Sequence, residues 1–243
     1  MSALAHIIES LGIATVVISL IRLHTEKVRP PRALWVPFQR GRPLGSPGEP
    51  EFQARVLRQA LALLERRDGP VLLEDFAADE PRAVDDPDWM PPFESATAAG
   101  PDGAALIDEL ARMRPFYDRA VSARGRSTVG LSGLDLPQAV DFLVSCLTAY
   151  PASSPAPPLT PGQALRFVAD DLKAAWTEAA SLHGEPSSGQ LADWLWQRTA
   201  LGRTLLGLRE RALASENAQF KAVGGTLLVP GARVALMEAA RAS

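Results

Sequence analysis

The fold is decided by the stretch LWVPFQRGRPLGSPGEPEFQARVL, which runs from Leu34 to Leu57. It begins with an apolar segment typical of a β-strand, continues through a basic loop rich in Gly and Pro, and ends with the spacing of an amphipathic helix. We predict a strand from Ala33 to Phe38 and a helix that ends near the sequence RRDGP. The apolar face of that helix would consist of Phe52, Val56, Leu57, Ala60, Leu61 and Leu64.

The segments on either side of this stretch complete a small α/β unit over residues 1–76. A short helix is predicted from Ser2 to Leu11, with Gly12 as its C-terminal stop. The run IATVVISLI, from Ile13 to Ile21, is rich in β-branched residues and apolar on both faces, as in a buried strand of a parallel sheet. A third strand is predicted from Val71 to Phe76. The order helix, strand, strand, helix, strand predicts an α/β fold with a small parallel sheet in the N-terminal third.

The C-terminal half is predicted to be mainly α-helical. Residues 77–103 are acidic and rich in proline, and we interpret them as a linker, a wrapping arm or a lid. Residues 104–243 carry long stretches with the apolar spacing of helices, and we expect this mainly helical region to pack on the α/β unit.

Local signals place individual elements within this helical region. Thr160, with Pro161 after it and Gln163 in the capping-box position, marks the start of one helix. A further long helix is expected after the sequence GEPSSG. Short extended pieces are predicted from Ser127 to Leu131 and from Thr226 to Val229.

Composition and charge exclude several classes of function. The chain has 243 residues, of which 47% are hydrophobic and 22% charged, as in a globular protein with a substantial core. Its net charge of −3 offers no overall field to attract nucleic acid, so we expect no nucleic-acid partner. The apolar N-terminus lacks a basic region and a cleavage site, and Glu9 and Gly12 interrupt it below membrane-spanning length. We therefore expect a cytoplasmic protein without a membrane association.

The sequence also limits thiol and metal chemistry. The only cysteine, Cys146, allows neither an internal disulfide nor a dithiol pair, and its apolar helical surroundings predict an inert core thiol. His6, His24 and His183 are scattered and show no zinc-binding spacing, so no metal site is predicted. No motif identifies a cofactor.

The basic loop of the opening stretch is the first candidate ligand site. Arg40 and Arg42 alternate with Gly41 and lie close to Gly45, between a strand end and a helix N-terminus, where an anion can be received. Arg32 precedes the same strand. The loop carries neither the dinucleotide fingerprint nor the phosphate-loop pattern. The alternative interpretation is a rigid, solvated turn or a subunit contact.

The sequence ARGRSTVGLSGL, from Ala123 to Leu134, is the second candidate ligand site. Arg124 and Arg126, together with serines and Gly133, would place anion donors around a short strand. The alternative is a helix stop, a strand and a turn without a ligand.

Carboxylates and one histidine are candidate proton-transfer groups. In FVADDLKAAWTEAA, Asp171 and Glu178 are seven residues apart and share a helix face, the geometry of paired carboxylates, with Asp170 beside them. A solvated helix face gives the same spacing. His24 follows the first predicted strand, at the edge of the sheet where open α/β folds bind ligands, although a loop residue would also occur there. We name His24, Asp170 and Asp171 as catalytic candidates.

A family resemblance covers about a quarter of the chain. The segment IESLGIATVVISLIRLHTEKVRPPRALWVPFQRGRPLG, followed by FQARVLRQALALL, resembles the C-terminal part of the selenoprotein B component of the glycine, sarcosine, betaine and D-proline reductases. In that family a helix ends in Gly-Ile-x-Thr before a buried strand, and a further strand leads through a Pro/Gly loop into an amphipathic helix. The matched stretch extends from Ile8 to Leu64. The resemblance implies an α/β fold and a shared subunit arrangement.

The resemblance does not supply an active residue. The redox residue of the family, a selenocysteine or cysteine, lies upstream of the matched stretch, and Cys146 does not occupy that place. The resemblance therefore implies that the redox centre is absent from this chain and that a partner supplies the thiol or selenol.

These observations lead to two functional hypotheses. In the first, the chain is a reductase-B-like enzyme or enzyme subunit that acts on a small anionic or amino-acid-like metabolite. In the second, it is a non-catalytic assembly or binding subunit, in which five tryptophans and the proline-rich arm serve an interface. Because a three-stranded sheet has exposed edges, we expect a homo-oligomer or a complex with another subunit.

Overall fold

A computed structural model describes residues 2–38, 43–45, 49–77, 87–95, 100–184, 186–231 and 233–236, without the side chains of residues 188 and 226. The chain divides into two compact units, Met1–Val84 and Asp85–Ser243. The first is an α/β unit and the second is helical. The predicted fold class, a small parallel sheet followed by a mainly helical region, is confirmed.

The α/β unit is built around a parallel sheet. Within the described residues three strands pair in the order β1-β2-β3, with Val17 opposite Ala33 and Ala33 opposite Leu73. Helices connect the strands, as parallel pairing requires. The elements in chain order are α1 (Ser2–Ser10), β1 (Val17–Ser19), α2 (Arg22–Val28), β2 (Arg32–Trp35), α3 (Pro50–Ala62) and β3 (Leu72–Asp75).

Helices cover both faces of the sheet. Successive residues of β2 point to opposite faces, because side chains alternate along a strand. Leu34 packs with Phe52 and Val56 of α3 in one apolar cluster. Trp35 lies on the other face, where the guanidinium of Arg22 from α2 is 6.0 Å from the centre of the indole ring. The sheet is therefore the middle layer between α3 and α2.

The long strand predicted from Ile13 to Ile21 is wrong in its extent. Only Val17–Ser19 is a strand, and Arg22–Val28 is a helix that the sequence analysis did not predict. Ile13 and Ile21 are 59% and 43% exposed, so the ends of the apolar run have no place in the core. The β-branched composition is strand-like, but the chain turns into α2 after Ile21.

The face of α3 also differs in part from the prediction. Phe52, Val56 and Ala60 are buried as expected, whereas Leu57 and Leu61 are 42% and 56% exposed. The buried residue at the end of this row is Leu63, which lies just past the helix. The core therefore uses a narrower stripe of α3 than its apolar composition indicates.

The helical unit is organised around one central helix. Its elements are α4 (Gly103–Arg124), α5 (Leu136–Thr148), α6 (Pro161–Ala180), α7 (Ser188–Arg198), α8 (Ala200–Ala214) and α9 (Ala218–Thr226). Leu165, Val168, Leu172 and Trp176 of α6 are all fully buried, so α6 lies in the middle of the core. The predicted start of α6 is confirmed, since Thr160 and Gln163 form a reciprocal capping box.

Two helices differ from the sequence-based expectation. α4 continues through Pro115, although a proline inside a sequence with helical spacing usually ends or kinks the helix. The single long helix expected after GEPSSG is two helices. The helical conformation is interrupted at Thr199, whose backbone is extended. The Thr199 hydroxyl accepts the amide of Gly202 at 2.9 Å and so caps α8.

The two short extended pieces are not formed. Residues 127–131 are loop, and residues 226–229 follow from the last residue of α9 into a turn. The described part of the predicted linker, residues 87–95, packs on the helical unit through the buried side chain of Phe93. Among the described residues, no helix combines the length and apolar character needed to cross a lipid bilayer.

Candidate functional site

The basic loop lies mostly outside the described residues. Arg40, Gly41 and Arg42 are among the residues that the structure does not describe, so their anion-binding role stays a prediction. Gly45 is described and has a φ of +89°, and a Cβ atom added there would lie 2.5 Å from the Phe52 ring. Glycine is therefore required at this position by the packing of the loop against α3.

Arg32 is engaged in a structural ion pair. Its guanidinium donates to Glu9 at 2.7 Å, and both side chains are about four-fifths buried. Thr15 donates to the same Glu9 carboxylate through its backbone amide and its hydroxyl, at 2.8 and 2.9 Å. Partial burial would raise the pKa of Glu9, but the hydrogen bonds from Thr15 and Arg32 outweigh it and lower that pKa below its ordinary value. Arg32 therefore joins β2 to α1.

His24 lies in the first turn of α2, shortly after the end of β1, and its side chain is exposed. Close to it in the chain, Arg22 is joined to Asp75 at the end of β3 at 3.1 Å. The proton-transfer role of His24 stays a prediction.

The structure brings the second ligand candidate and Asp171 together. The Asp171 carboxylate is only 1% exposed and accepts the backbone amides of Gly130, Leu131 and Ser132, each at 2.9 Å. The Ser132 hydroxyl adds a fourth hydrogen bond at 2.6 Å. Both carboxylate oxygens are thus used by the loop. Of the donors predicted to bind an external anion, Ser132 binds this internal carboxylate instead, and Asp171 is an anchor for the loop.

Glu178 holds the other end of the same loop. Its carboxylate accepts the hydroxyl of Ser127 at 2.8 Å, together with the amide and hydroxyl of Thr128 at 2.8 and 2.7 Å. Asp171 and Glu178 therefore lie on one face of α6, but they fix a loop and do not form a pair around a metal. Among the described residues, no group of His, Cys, Asp and Glu side chains is arranged to hold a metal ion.

The remaining candidates near this loop lie on the surface. Asp170, next to Asp171 in sequence, forms an ion pair with Lys173 at 2.8 Å. Arg124 is exposed and donates weakly to the Ser181 carbonyl at 3.4 Å, and Arg126 is exposed. None of these side chains meets another candidate in a concave site.

Cys146 is a core thiol, as its sequence context predicts. It is fully buried on α5, and burial raises the pKa of the thiol to about 11, although a hydrogen bond with Ser145 opposes this. At about pH 8 the thiolate is then present in about one molecule in a thousand.

We therefore expect Cys146 to resist labelling by a disulfide reagent in the native protein and to react fully after denaturation. The measurement is the amount of thiol that the reagent releases per chain at about pH 8, with and without guanidinium chloride. Stoichiometric labelling of the folded chain within seconds would contradict this assignment.

A cleft of about 1310 Å³ lies in the helical unit, and none of the sequence-based candidates is among its lining residues. One wall is the segment 89–95 and another is α7. The lining residues of α7 recur every three or four positions, so they share one helix face. We call this site the aromatic-arginine cleft: it consists of residues 89–95, Arg112, Arg203 and the α7 residues Gln190, Asp193, Trp194, Gln197 and Arg198.

Aromatic rings form the apolar part of the cleft. Trp89 and Trp194 meet edge to face, with ring centres 6.2 Å apart. Phe93 contacts Trp194 in the same manner at 5.6 Å, and Phe116 lies behind Phe93 at 5.9 Å. Edge-to-face packing is a favoured arrangement of aromatic side chains. The segment 89–95 is thereby attached to α7 through its rings.

Arginines supply the polar part of the cleft. Arg112 of α4 pairs with Asp108 at 2.8 Å, and Asp193 pairs with Arg233 at 2.9 Å. Arg198 is exposed near the end of α7 and forms no ion pair within the described residues. Arg203 of α8 is the third guanidinium of the lining. The cleft thus joins cationic groups to an aromatic wall.

Sequence reasoning missed this cleft as a ligand site. Its two walls come from segments about a hundred residues apart in the sequence. One contact between them is the hydrogen bond from the Trp194 indole N–H to the Ser95 hydroxyl, at 3.2 Å. The available signals were the aromatic residues of the proline-rich arm and the polar spacing of Asp193, Gln197 and Arg198 along α7.

Comparisons of the chain with protein-family models, with curated proteins and with solved structures find no match. The resemblance to the reductase B component stays a prediction from the sequence.

Proposed function

We propose that this chain binds a small organic anion in the aromatic-arginine cleft. The observation that carries the proposal is the convergence of Arg112, Arg198 and Arg203 on one concave site with an aromatic wall. Guanidinium groups bind carboxylates and phosphates through strong, charge-assisted hydrogen bonds. Ligand sites in proteins combine an apolar lining with a few placed polar groups, as this cleft does.

The size of the cleft suits a whole metabolite. Ligand pockets usually measure about 300–1,000 Å³, and this cleft is somewhat larger at about 1310 Å³. A bare inorganic ion would leave the aromatic wall unused. An anion with an organic body uses both parts of the lining.

The lining is dominated by hydrogen-bond donors. It contains three guanidinium groups and two carboxylates. Asp193 is paired with Arg233 and accepts the Gln197 side-chain amide at 3.1 Å through the same oxygen, Oδ1, and Glu94 is exposed. A cationic lining of this kind supports the second hypothesis from the sequence, a binding subunit, more directly than the first.

A reductase-related role is a second proposal. It is supported by the order of elements between residues 8 and 64, where α1, β1, β2 and α3 follow one another as the family resemblance implies, although the helix α2 lies between the two strands. In this proposal the chain presents its ligand within a homo-oligomer or a hetero-complex, and a partner supplies the thiol or selenol. The fold alone does not carry this function.

The test of the binding proposal is a titration with an organic anion. We expect phenylacetate to bind the wild-type chain saturably by calorimetry, and Arg198→Ala to weaken that binding about ten- to a hundredfold. The loss of one charge-assisted contact accounts for about 1.5–3 kcal/mol.

The matched control is Arg126→Ala, which removes an exposed arginine outside the cleft. It should bind phenylacetate like the wild type, and both variants should keep the wild-type melting temperature because both side chains are on the surface. Lack of saturable binding, or equal weakening by both substitutions, would refute the proposal.

A further inference from the structure

The aromatic wall of the cleft contains an indole donor without an acceptor. The Trp89 Nε1 is closed off from solvent and has no hydrogen-bond partner among the described residues. The neighbouring Trp194 is different, since its indole N–H donates to Ser95. A buried donor left unsatisfied lowers the stability of the folded state. A ligand acceptor that reached Trp89 would recover part of this cost.

A second unsatisfied donor lies in the same lining. Arg112 uses its terminal nitrogen for Asp108, but its Nε is buried and has no partner among the described residues. Arginine binds carboxylates best through two of its N–H groups. The cleft therefore contains two kinds of donor, an indole and a guanidinium, that carboxylate or ring acceptor atoms can satisfy.

Trp89 is the ring of the wall that is open to a ligand. Trp194 and Phe93 are 5% and 6% exposed and form the packed base of the aromatic group, whereas Trp89 is partly exposed. A further planar ring can add to this group in the edge-to-face or offset manner that aromatic rings prefer, which stabilises the contact beyond the burial of apolar surface. A saturated ring gains only the burial.

We infer that the cleft selects aromatic carboxylates and that Trp89 is its specificity-determining residue. The ring of the ligand packs against Trp89, and its carboxylate meets the arginines of the lining. Because the Trp89 nitrogen is closed off from solvent, an acceptor reaches it only when the segment 87–95 shifts. This inference rests on the proposed binding function and adds the class of ligand to it.

The test compares two carboxylates of similar size, indole-3-acetate and cyclohexylacetate, by calorimetry. We expect the wild-type chain to bind indole-3-acetate about tenfold more tightly than cyclohexylacetate, which is equivalent to about 1.4 kcal/mol. In Trp89→Leu this ratio should fall to about one, with little change in the affinity for cyclohexylacetate. Trp89→Phe should keep an intermediate ratio, because it retains ring packing and loses the N–H donor.

The control is Ile107→Ala, which truncates an exposed apolar side chain of α4 outside the cleft and should leave the ratio unchanged. Melting temperatures show whether each variant is folded. If Trp89→Leu does not fold, the comparison is made with Trp89→Phe. Equal wild-type affinities for the two probes, both weakened by Arg198→Ala, would overturn the inference and leave the binding function standing. If neither probe binds, the proposed function fails and the inference fails with it.

Discussion

Replacing Glu109 by alanine is expected to lower the free energy of unfolding of the helical unit by about 4 kcal/mol. The Glu109 carboxylate is fully buried on α4 and accepts the indole N–H of Trp176 at 2.7 Å. It also accepts the amides of Ala200 and Leu201 at 2.9 and 3.3 Å, at the start of α8. All three donors are buried, so water cannot replace the lost acceptor. The positive, N-terminal end of the α8 dipole also stabilises the negative carboxylate.

Urea unfolding followed by far-UV circular dichroism measures this effect. Glu109→Gln keeps the volume and one acceptor oxygen, and should lose about 2 kcal/mol, since part of the hydrogen bonding remains. The control is Asp118→Ala on the same helix, which removes an exposed carboxylate paired with Arg114 and should change stability by within about 0.5 kcal/mol. Equal stabilities of Glu109→Ala and Asp118→Ala would show that Glu109 is not a structural centre.

Replacing Asp171 by alanine should cost about 3 kcal/mol of stability. Three loop amides and the Ser132 hydroxyl lose their acceptor at once. Gly130 and Leu131 are exposed and can be hydrated again, so the buried Ser132 accounts for most of the loss. The effect is therefore smaller than that of Glu109→Ala, whose donors are all buried.

Asp170→Ala is a closely matched control, because the two aspartates are neighbours on α6 and differ in burial. Asp170 is partly exposed and pairs with Lys173, so its removal should change stability by within about 1 kcal/mol. Unfolding midpoints in urea compare the two variants directly. A fully stable Asp171→Ala variant with altered ligand binding would restore the original interpretation of Asp171 as a functional group.

The elements with local signals could be predicted from the sequence. Each of these signals depends on residues that are only a few positions apart in the sequence. Examples are the capping box of Thr160 and Gln163 and the apolar rows of α3 and α6. The position of β1 could be predicted but its ends could not, because β-branched residues continue past the strand on both sides. α2 was missed for the same reason, since Ile21 belongs by composition to the strand and by structure to the start of the helix.

The site could be predicted only in fragments. The spacing of Asp171 and Glu178 predicts their shared helix face, and the residue types of the loop before α5 predict its anion donors. Neither pattern indicates that the carboxylates bind this loop. The aromatic residues of the arm and the polar spacing of α7 are signals for the cleft, but neither indicates that the two segments meet. Trp89 and Trp194 meet because the chain folds back over about a hundred residues, which is a property of the tertiary structure.

The anchoring of the loop by α6 has a consequence for folding. Residues 127–132 are held mainly by carboxylates that lie 39 to 51 positions further along the chain. Within the loop, the Val129 amide donates to the Ser127 hydroxyl. Closing such a segment costs chain entropy before any contact is gained. The loop therefore acquires its shape only when α6 docks between α4 and α5, and its order depends on the completed helical core.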